Sequence, residues 1–297
     1  MVYLESFTIP SVKDETEYKV KNQKFDMECY AHTSAYPFGI FPPKGLEKLT
    51  FDNVTILYGG NGSGKSTLLN VIAEKLDLDR TTSFNDSVCM NDYLRYCSYR
   101  LSHGIKKAPE GSAVVTSDGV FDFLLDIRSY NKGVDRKREN LFSEYEKVKD
   151  PNYHFTLNSL DDYEELKRKN EIKSGTKSAY TARRLGGYEK ETRSNGESAF
   201  SYFTEKIKED ALYLLDEPEN SLSAVLQKEL LAFIEDSARF YNCQFIIATH
   251  SPFLLSMKGA KIYDLDSTPV VTKKWSELEN MRLYFELFSS RSRDFGD

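Results

Sequence analysis

Short apolar segments alternate with amphipathic segments along most of the chain. Residues 2–9 alternate apolar and polar side chains as a strand does, and residues 50–58 contain a second apolar run that ends in glycines. Residues 66–76 then place leucine and isoleucine at helical spacing. This order predicts a strand, a glycine-rich turn and a helix.

The same alternation continues later in the sequence. Residues 113–116 predict a buried strand, and residues 120–127 predict an amphipathic helix directly after it. Residues 211–215 and 244–249 are apolar enough for fully buried strands, with a helix over 223–240 between them. Because strands alternate with helices, we expect an α/β fold with a mainly parallel sheet.

A charged region interrupts this pattern. Residues 134–193 hold 14 basic and 12 acidic side chains among 60 positions, together with a small apolar face. We interpret them as part of a polar, mostly helical insertion that spans about 118–205, within a single domain over 1–297. The apolar face consists of Leu141, Phe142, Tyr145 and Val148.

Composition narrows the class of protein. The 297 residues are 40% hydrophobic and carry a net charge of -6, so any nucleic-acid binding needs a local basic patch. The apolar runs are far shorter than the ~20 residues that span a bilayer. Residues 1–10 have no basic residue before their apolar stretch, which does not fit a secretory leader. We therefore expect a cytoplasmic protein that does not enter the membrane.

The four cysteines do not form a recognisable pattern. Cys29, Cys89, Cys97 and Cys243 lack the paired spacing of a disulfide framework or a zinc site. Cys89 and Cys97 could be metal ligands, but no nearby histidine cluster supports that role. Reduced structural thiols are the preferred interpretation.

A phosphate-binding loop follows the strand at 50–58. The segment fits G-x-x-x-x-G-K-[ST], and it lies between a strand and a helix as that motif requires. Glycine-rich backbone N–H groups and a helix N-terminus favour phosphate, so a chance glycine-rich turn is the weaker interpretation. We expect Lys65 to contact the β- and γ-phosphates and Ser66 to bind magnesium. The candidate loop residues are Gly59, Gly60, Asn61, Gly62, Ser63, Gly64, Lys65, Ser66 and Thr67.

Two adjacent carboxylates end the strand at 211–215. Burying Asp216 and Glu217 there is unfavourable unless a cation or water meets them. We expect Asp216 to hold magnesium and Glu217 to act as the general base that activates water. An acidic cap on the following helix is the alternative.

Two further candidates lie after the charged region. His250 ends the strand at 244–249, where α/β sheets place ligands, so we expect it to contact the γ-phosphate and orient Glu217. A structural histidine is the alternative. Residues 194–198 (Ser-Asn-Gly-Glu-Ser) precede a segment of helical periodicity and would form a helix N-terminus that holds a second phosphate face.

These motifs, in this order, resemble the ABC ATPase superfamily. Among its branches, Ser-x-Gly-Glu, Asp-Glu-Pro-Glu-Asn-Ser and Thr-His-Ser-Pro are similar to the non-transporter group. That group includes DNA-repair and chromosome-maintenance ATPases, overcoming-lysogenization-defect ATPases and bacterial defence ATPases such as the Septu ATPase subunit. The resemblance implies a head-to-tail homodimer in which Ser194 and Gly196 bind the ATP held by the partner's phosphate loop.

The sequence departs from the family at two positions. Asn195 stands where many members have glycine, and no glutamine occurs between Lys65 and Ser194 to serve the usual Q-loop. Ser117 or Asp118, at the strand-to-helix junction where that loop belongs, is the best substitute. Separately, Tyr36 and Phe38 could stack on adenine or pack in the core.

The resemblance leaves several roles open. We favour an ATPase that switches a DNA-associated or anti-phage defence partner. The ATPase core extends to the last residues, so we expect the effector to be a separate protein. The alternative is the ATPase subunit of a membrane transporter, which the missing glutamine disfavours. An ATPase with long coiled arms is disfavoured because the insertion is short and contains Pro151 and Gly175.

A basic run within the insertion is a candidate nucleic-acid contact. Residues 167–184 contain seven basic side chains and one acidic side chain, Glu171. Such a run can follow a phosphate backbone. The alternative is a solvated helical face whose charges pair with nearby carboxylates. The basic residues are Lys167, Arg168, Lys169, Lys173, Lys177, Arg183 and Arg184.

Overall fold

Strands and helices alternate over most of the chain in the computed structural model, which describes residues 1–21, 35–154, 163–186, 195–220 and 222–296. None of the helices formed by these residues is long and apolar enough to cross a bilayer.

The chain divides into two compact units. The first, here called the core unit, comprises Met1–Val120 and Asn195–Asp297. The second, here called the insertion unit, comprises Phe121–Ser194. The helix that contains Gly196 therefore belongs to the core unit.

The strands form two sheets. In chain order they are β1 (Leu4–Thr8), β2 (Lys48–Thr50), β3 (Val54–Tyr58), β4 (Asp79–Arg80), β5 (Ser98–Leu101), β6 (Ala113–Thr116), β7 (Leu212–Asp216), β8 (Gln244–Ala248), β9 (Lys261–Asp264) and β10 (Val271–Thr272). Among the described residues, the main sheet has the order β10-β9-β3-β8-β7-β6-β4 and the small sheet the order β2-β1-β5. The main sheet is parallel except for β10, and the small sheet is antiparallel.

The helices connect these strands. They are α1 (Val12–Lys21), α2 (Lys65–Leu76), α3 (Met90–Tyr96), α4 (Ser117–Lys149), α5 (Tyr163–Ser174), α6 (Lys177–Leu185), α7 (Asn195–Lys206), α8 (Ala224–Phe240), α9 (Pro252–Leu255) and α10 (Glu279–Ser290). Short 3₁₀ helices cover Pro42–Lys44, Trp275–Glu277 and Ser292–Phe295.

The central strands are buried on both faces. Every residue of β3 and β8 is buried, which is typical of parallel strands covered by helices on each side. Helix α2 packs against β7 and β8, and its Leu68, Leu69 and Ile72 are at most 1% exposed. Each such side chain contributes about 1.5–3 kcal/mol by leaving water. This packing fixes the position of the loop that precedes α2.

Two sequence predictions differ from the observed elements. The helix predicted over 120–127 is the beginning of α4, which is 33 residues long. Val134, Leu141 and Val148 lie seven residues apart and are buried, so the charged part of the sequence keeps one apolar face. The run at 50–58 divides into β2 and β3, because a turn in which the Asp52 N–H donates to Thr55 Oγ1 separates them.

The insertion unit has a small core of its own. Leu141, Val148, Ile172 and Tyr180 are buried together, with Tyr145 packed against them. The two residues of the predicted apolar face that are most buried, Leu141 and Val148, belong to this core. Helix α6 begins at a cap in which Thr176 Oγ1 accepts a hydrogen bond from the Ala179 N–H.

Candidate functional site

The phosphate loop joins β3 to α2, as the sequence predicts. Gly62 and Gly64 have φ angles of 78° and 98°, a region that residues with a side chain rarely adopt. A Cβ at Gly64 would lie 3.2 Å from the ring of Phe41, and one at Gly59 would lie 2.6 Å from Ser63 Oγ. Glycine at these positions therefore lets the backbone curl tightly before the helix.

Lys65 is folded back on the loop. Its side chain is only 4% exposed, and Nζ donates to the carbonyl oxygens of Gly59 at 2.8 Å and Gly60 at 3.1 Å. Glu217 Oε1 lies 3.8 Å from the same Nζ. A buried ammonium group needs such acceptors, and its position within the loop makes it available to a phosphate.

Ser66 and Asp216 form a pair of oxygen ligands. Ser66 Oγ donates to Asp216 Oδ1 at 3.1 Å. Burial raises the pKa of Asp216 to about 6, and the neighbouring Glu217 adds to this, whereas Ser66, Lys65 and Arg80 lower it. Magnesium prefers oxygen ligands and would compensate a buried carboxylate. The hydroxyl and the carboxylate therefore fit a magnesium ion.

Glu217 has an unusual backbone conformation. Its φ is 47°, which is uncommon for a residue with a side chain and is found at functional sites. The Glu217 N–H donates to the carbonyl oxygen of Ala248 at 2.9 Å. Its Oε2 accepts a hydrogen bond from Asn220 Nδ2 at 3.0 Å. The backbone turn and Asn220 together fix the direction of the carboxylate.

His250 lies beside Glu217. Its Nδ1 is 3.9 Å from Glu217 Oε1 and 3.7 Å from Glu219 Oε1, and its side chain is 44% exposed. The two residues meet because β7 and β8 are parallel neighbours whose carboxyl ends lie at the same edge of the sheet. An exposed imidazole next to the carboxylate is accessible to a ligand.

Glu219 was not identified from the sequence. It is 6% exposed, and its Oε1 accepts hydrogen bonds from Thr249 Oγ1 at 2.6 Å, the His250 N–H at 3.0 Å and the Ser251 N–H at 3.1 Å. Glu219 therefore holds the backbone on which His250 is placed. The motif Asp-Glu-Pro-Glu-Asn-Ser contains Glu219, but the sequence does not indicate its role, because these partners lie 30 to 32 residues away.

Two other side chains support the phosphate loop and were also missed. Lys44 Nζ donates to the carbonyl oxygens of Ser63 and Leu265, both at 2.7 Å. Asp266 Oδ2 accepts the N–H of Gly60 at 2.7 Å. These contacts connect the loop to the end of β9. The sequence gives no signal for them because they join distant segments.

The remaining candidates from the sequence are those for the second phosphate face, the Q-loop substitute and the adenine contact. Ser194 lies outside the described residues, and Gly196 is in the first turn of α7. Ser117 and Asp118 open α4 directly after β6, the strand beside β7. Phe38 is buried, stacks on Tyr18 with ring centroids 4.3 Å apart, and meets Tyr93 edge-on at 5.0 Å. It is thus a core residue.

The aromatic and cysteine candidates also pack in the interior. Tyr36 is partly buried against the same hydrophobic cluster as Phe38. Within the described part of the chain, Cys89, Cys97 and Cys243 are buried and form no disulfide with one another, and burial raises the pKa of Cys97 to about 12. Cys29 lies outside the described residues.

Comparison with protein families gives one match. Residues 199–256 match a family described as "AAA domain, putative AbiEii toxin, Type IV TA system". That region contains β7, the acidic pair, α8, β8 and His250. No curated protein sequence matches the chain.

Several solved structures are similar to the chain at low sequence identity. An Smc head domain from Pyrococcus furiosus, with an extended coiled coil and bound to the C-terminal domain of ScpA, is 15% identical. It covers 97% of this chain and 100% of its own, with a TM-score of 0.41. The SMC head domain from Thermotoga maritima is 12% identical, covering 92% of this chain and 98% of its own, with a TM-score of 0.37.

A transporter structure is similar to a comparable degree. It is described as "An inward-facing conformation of a putative metal-chelate type ABC transporter" and is 17% identical. It covers 79% of this chain and 77% of its own, with a TM-score of 0.35. The mainly parallel sheet, the phosphate loop between β3 and α2, and the match to an AAA domain together give the chain a P-loop NTPase fold of the ATPase kind.

Proposed function

We propose that the protein binds ATP with magnesium and hydrolyses it. The observation that carries this proposal is the meeting of five side chains at the carboxyl edge of β3, β8 and β7, three adjacent parallel strands. Within this group Glu217 Oε1 lies 3.8 Å from Lys65 Nζ and 3.9 Å from His250 Nδ1. The group comprises Lys65, Ser66, Asp216, Glu217 and His250.

Phosphate binding follows from the loop and the helix behind it. Backbone N–H groups of the loop and the N-terminus of α2 favour an anion. Lys65 Nζ exchanges the carbonyl oxygens of Gly59 and Gly60 for phosphate oxygens, which are stronger acceptors because they are charged. Ser66 Oγ and Asp216 would hold magnesium, which neutralises phosphate charge when bound.

Hydrolysis needs a base beside the γ-phosphate. Glu217 accepts a proton from water at Oε1, while Oε2 keeps its hydrogen bond from Asn220 and so holds the carboxylate in place. His250 donates toward the phosphate and stays beside Glu217, because Glu219 holds its backbone N–H. The positioned base contributes typically about 10²–10⁴-fold to the rate.

We further propose that the working form is a head-to-tail homodimer with composite sites. Support comes from the resemblance of residues 194–198 to the ABC signature, which would act on the nucleotide of the partner subunit. Gly196 lies in the first turn of α7, and a helix N-terminus favours a phosphate. Ser194 is the second residue assigned to this role.

The biological role we propose is to switch a separate effector protein in DNA maintenance or anti-phage defence, in the cytoplasm. The resemblance to the non-transporter group and the missing Q-loop glutamine support it. The alternative is the ATPase subunit of a membrane transporter. The genomic neighbourhood distinguishes the two roles, since a nuclease or reverse transcriptase gene favours defence and a permease gene favours transport.

The catalytic proposal is tested with Glu217→Gln. We expect ATP binding to persist and turnover to fall about 10²–10⁴-fold, because an amide cannot accept the proton of water. The trapped protein should elute as a dimer in size-exclusion chromatography with ATP and magnesium. Glu205→Gln, an exposed glutamate on α7, is the matched control and should keep full turnover. Wild-type turnover in Glu217→Gln would exclude Glu217 as the base.

A further inference from the structure

The insertion unit contains a cavity lined mainly by cations. Its volume is about 500 Å³, and its lining consists of Lys137, Leu141, Arg168, Glu171, Arg183 and Arg184. Four of these six residues are basic and one is acidic. Cavities of about 300–1,000 Å³ hold small ligands or parts of larger ones. All six lining residues belong to the insertion unit, whereas the residues of the proposed ATP site belong to the core unit.

Two of the four cations are already paired. Arg168 forms an ion pair with Glu144, and Arg184 Nη2 lies 2.8 Å from Glu171 Oε2. Lys137 and Arg183 are exposed on the lining. Counting both glutamates, the cluster keeps an excess of two positive charges, which an anion in the cavity would neutralise.

Arg184 carries a donor without an acceptor. Its Nε is buried and has no hydrogen-bond partner among the residues that the structure describes. An unsatisfied buried donor of a charged group is unfavourable, so Arg184 Nε would gain a partner if the side chain turned toward an acceptor in the cavity. A guanidinium group presents its donors in the geometry that suits phosphate oxygens.

Ion pairs within the insertion unit argue against one continuous phosphate-binding surface along residues 167–184. Four of its seven basic residues are in ion pairs within the insertion unit. Of the other three, Lys167 and Lys173 do not line the cavity, whereas Arg183 of α6 lines it together with Lys137 of α4. Lys137 is distant in sequence, so the basic run alone did not indicate it. The paired residues are Arg168, Lys169, Lys177 and Arg184.

We propose that this cavity is a phosphoryl-binding site, with Lys137, Arg183 and Arg184 as its ligands. A single phosphate is much smaller than the cavity, so there is room for a ligand with two linked phosphoryl groups. This chemistry is shared by the backbone of a nucleic acid and by a free polyphosphate compound. The site does not depend on the proposed ATPase reaction.

The test uses full-length protein carrying Lys65→Ala, which weakens phosphate binding at the loop. Inorganic pyrophosphate is titrated by calorimetry, and a short fluorescent DNA duplex is titrated by anisotropy at low salt. Arg183→Glu and Lys137→Glu are added to this background. Lys173→Glu is the matched control, because it makes the same charge change at an exposed residue that does not line the cavity. Circular dichroism confirms that each variant is folded.

We expect pyrophosphate affinity to fall about tenfold or more in Arg183→Glu and Lys137→Glu and to change little in Lys173→Glu. Duplex binding that pyrophosphate displaces would identify a nucleic-acid backbone as the source. Pyrophosphate binding without duplex binding would identify a free phosphorylated compound. Two results would overturn the site: undetectable pyrophosphate binding by the Lys65→Ala protein, or an equal loss in Lys173→Glu.

Discussion

Replacing Asp216 with asparagine should stabilise the nucleotide-free protein, although it removes a proposed magnesium ligand. Burial raises the pKa of the Asp216 carboxyl group to about 6. The charged form of this group is therefore less stable in the folded protein than in the unfolded chain. Asparagine is uncharged and of similar size, and its side-chain oxygen can still accept the hydrogen bond from Ser66 Oγ.

The size of the expected change in stability follows from the shift in the pKa of Asp216. The ordinary pKa is 3.8 and the folded value is about 6, and one pH unit corresponds to 1.36 kcal/mol. Ionised Asp216 therefore lowers the free energy of unfolding by about 3 kcal/mol at pH 8. Because the folded state binds the proton more tightly, this loss develops as the pH rises from about 4 through 6. At pH 4.5 the expected loss is about 1 kcal/mol.

Urea unfolding of wild type and Asp216→Asn from pH 4.5 to pH 8, without nucleotide or magnesium, measures this difference. Subtracting the two curves removes the contributions of other titrating groups that the substitution does not affect. Asp79→Asn, an exposed carboxylate of β4, is the control and should stay within about 0.5 kcal/mol of wild type. Addition of ATP and magnesium should stabilise wild type more than Asp216→Asn, because binding to the folded state adds to stability.

A difference between the two proteins that does not change with pH would refute this reasoning. So would destabilisation by Asp216→Asn at pH 8, because the carboxylate would then be favourable in the folded state without a cation. Equal stabilisation of both proteins by ATP and magnesium would separately remove Asp216 from the set of magnesium ligands.

Two further substitutions probe the proposed site. Lys65→Ala should weaken ATP binding by about 1.5–3 kcal/mol, the contribution of a charged hydrogen bond, and unchanged affinity in calorimetry would rule out the phosphate-loop assignment. Glu219→Gln should destabilise the protein by about 1–3 kcal/mol and lower ATP turnover, since one charged acceptor holds Thr249 and the backbone of His250. Urea unfolding and turnover assays check this, and wild-type values in both would show that Glu219 does not position His250.

The features predicted correctly are those that local sequence patterns determine. The strand, loop and helix around Lys65 follow from hydrophobic periodicity and glycine placement, and the structure contains β3, the loop and α2 in that order. The proximity of Glu217 and His250 follows from a general rule, because parallel strands end at one edge. The rule places Glu217 and His250 at the same edge of the sheet whatever the number of residues between them.

The features that were missed depend on contacts between distant segments. Glu219, Lys44 and Asp266 hold the site through partners 19 to 221 residues away. Hydrophobic periodicity does not reveal which charged residues make such contacts, and the motif that contains Glu219 does not indicate its partners. The length of α4 was underestimated for a different reason. In its charged half the buried apolar residues Val134, Leu141 and Val148 recur only every seven residues among many charged side chains, which is a weak helical signal in a single sequence.

The most direct test of the composite-site proposal is complementation between two inactive variants. Lys65→Ala disables the phosphate loop, and Ser194→Arg places a bulky cation in the signature that acts on the partner's nucleotide. Neither variant should hydrolyse ATP alone. A mixed dimer pairs the intact loop of one subunit with the intact signature of the other, so an equal mixture should recover about a quarter of wild-type turnover. Normal hydrolysis by Ser194→Arg alone, or no recovery on mixing, would contradict the proposal that the two subunits share each ATP site.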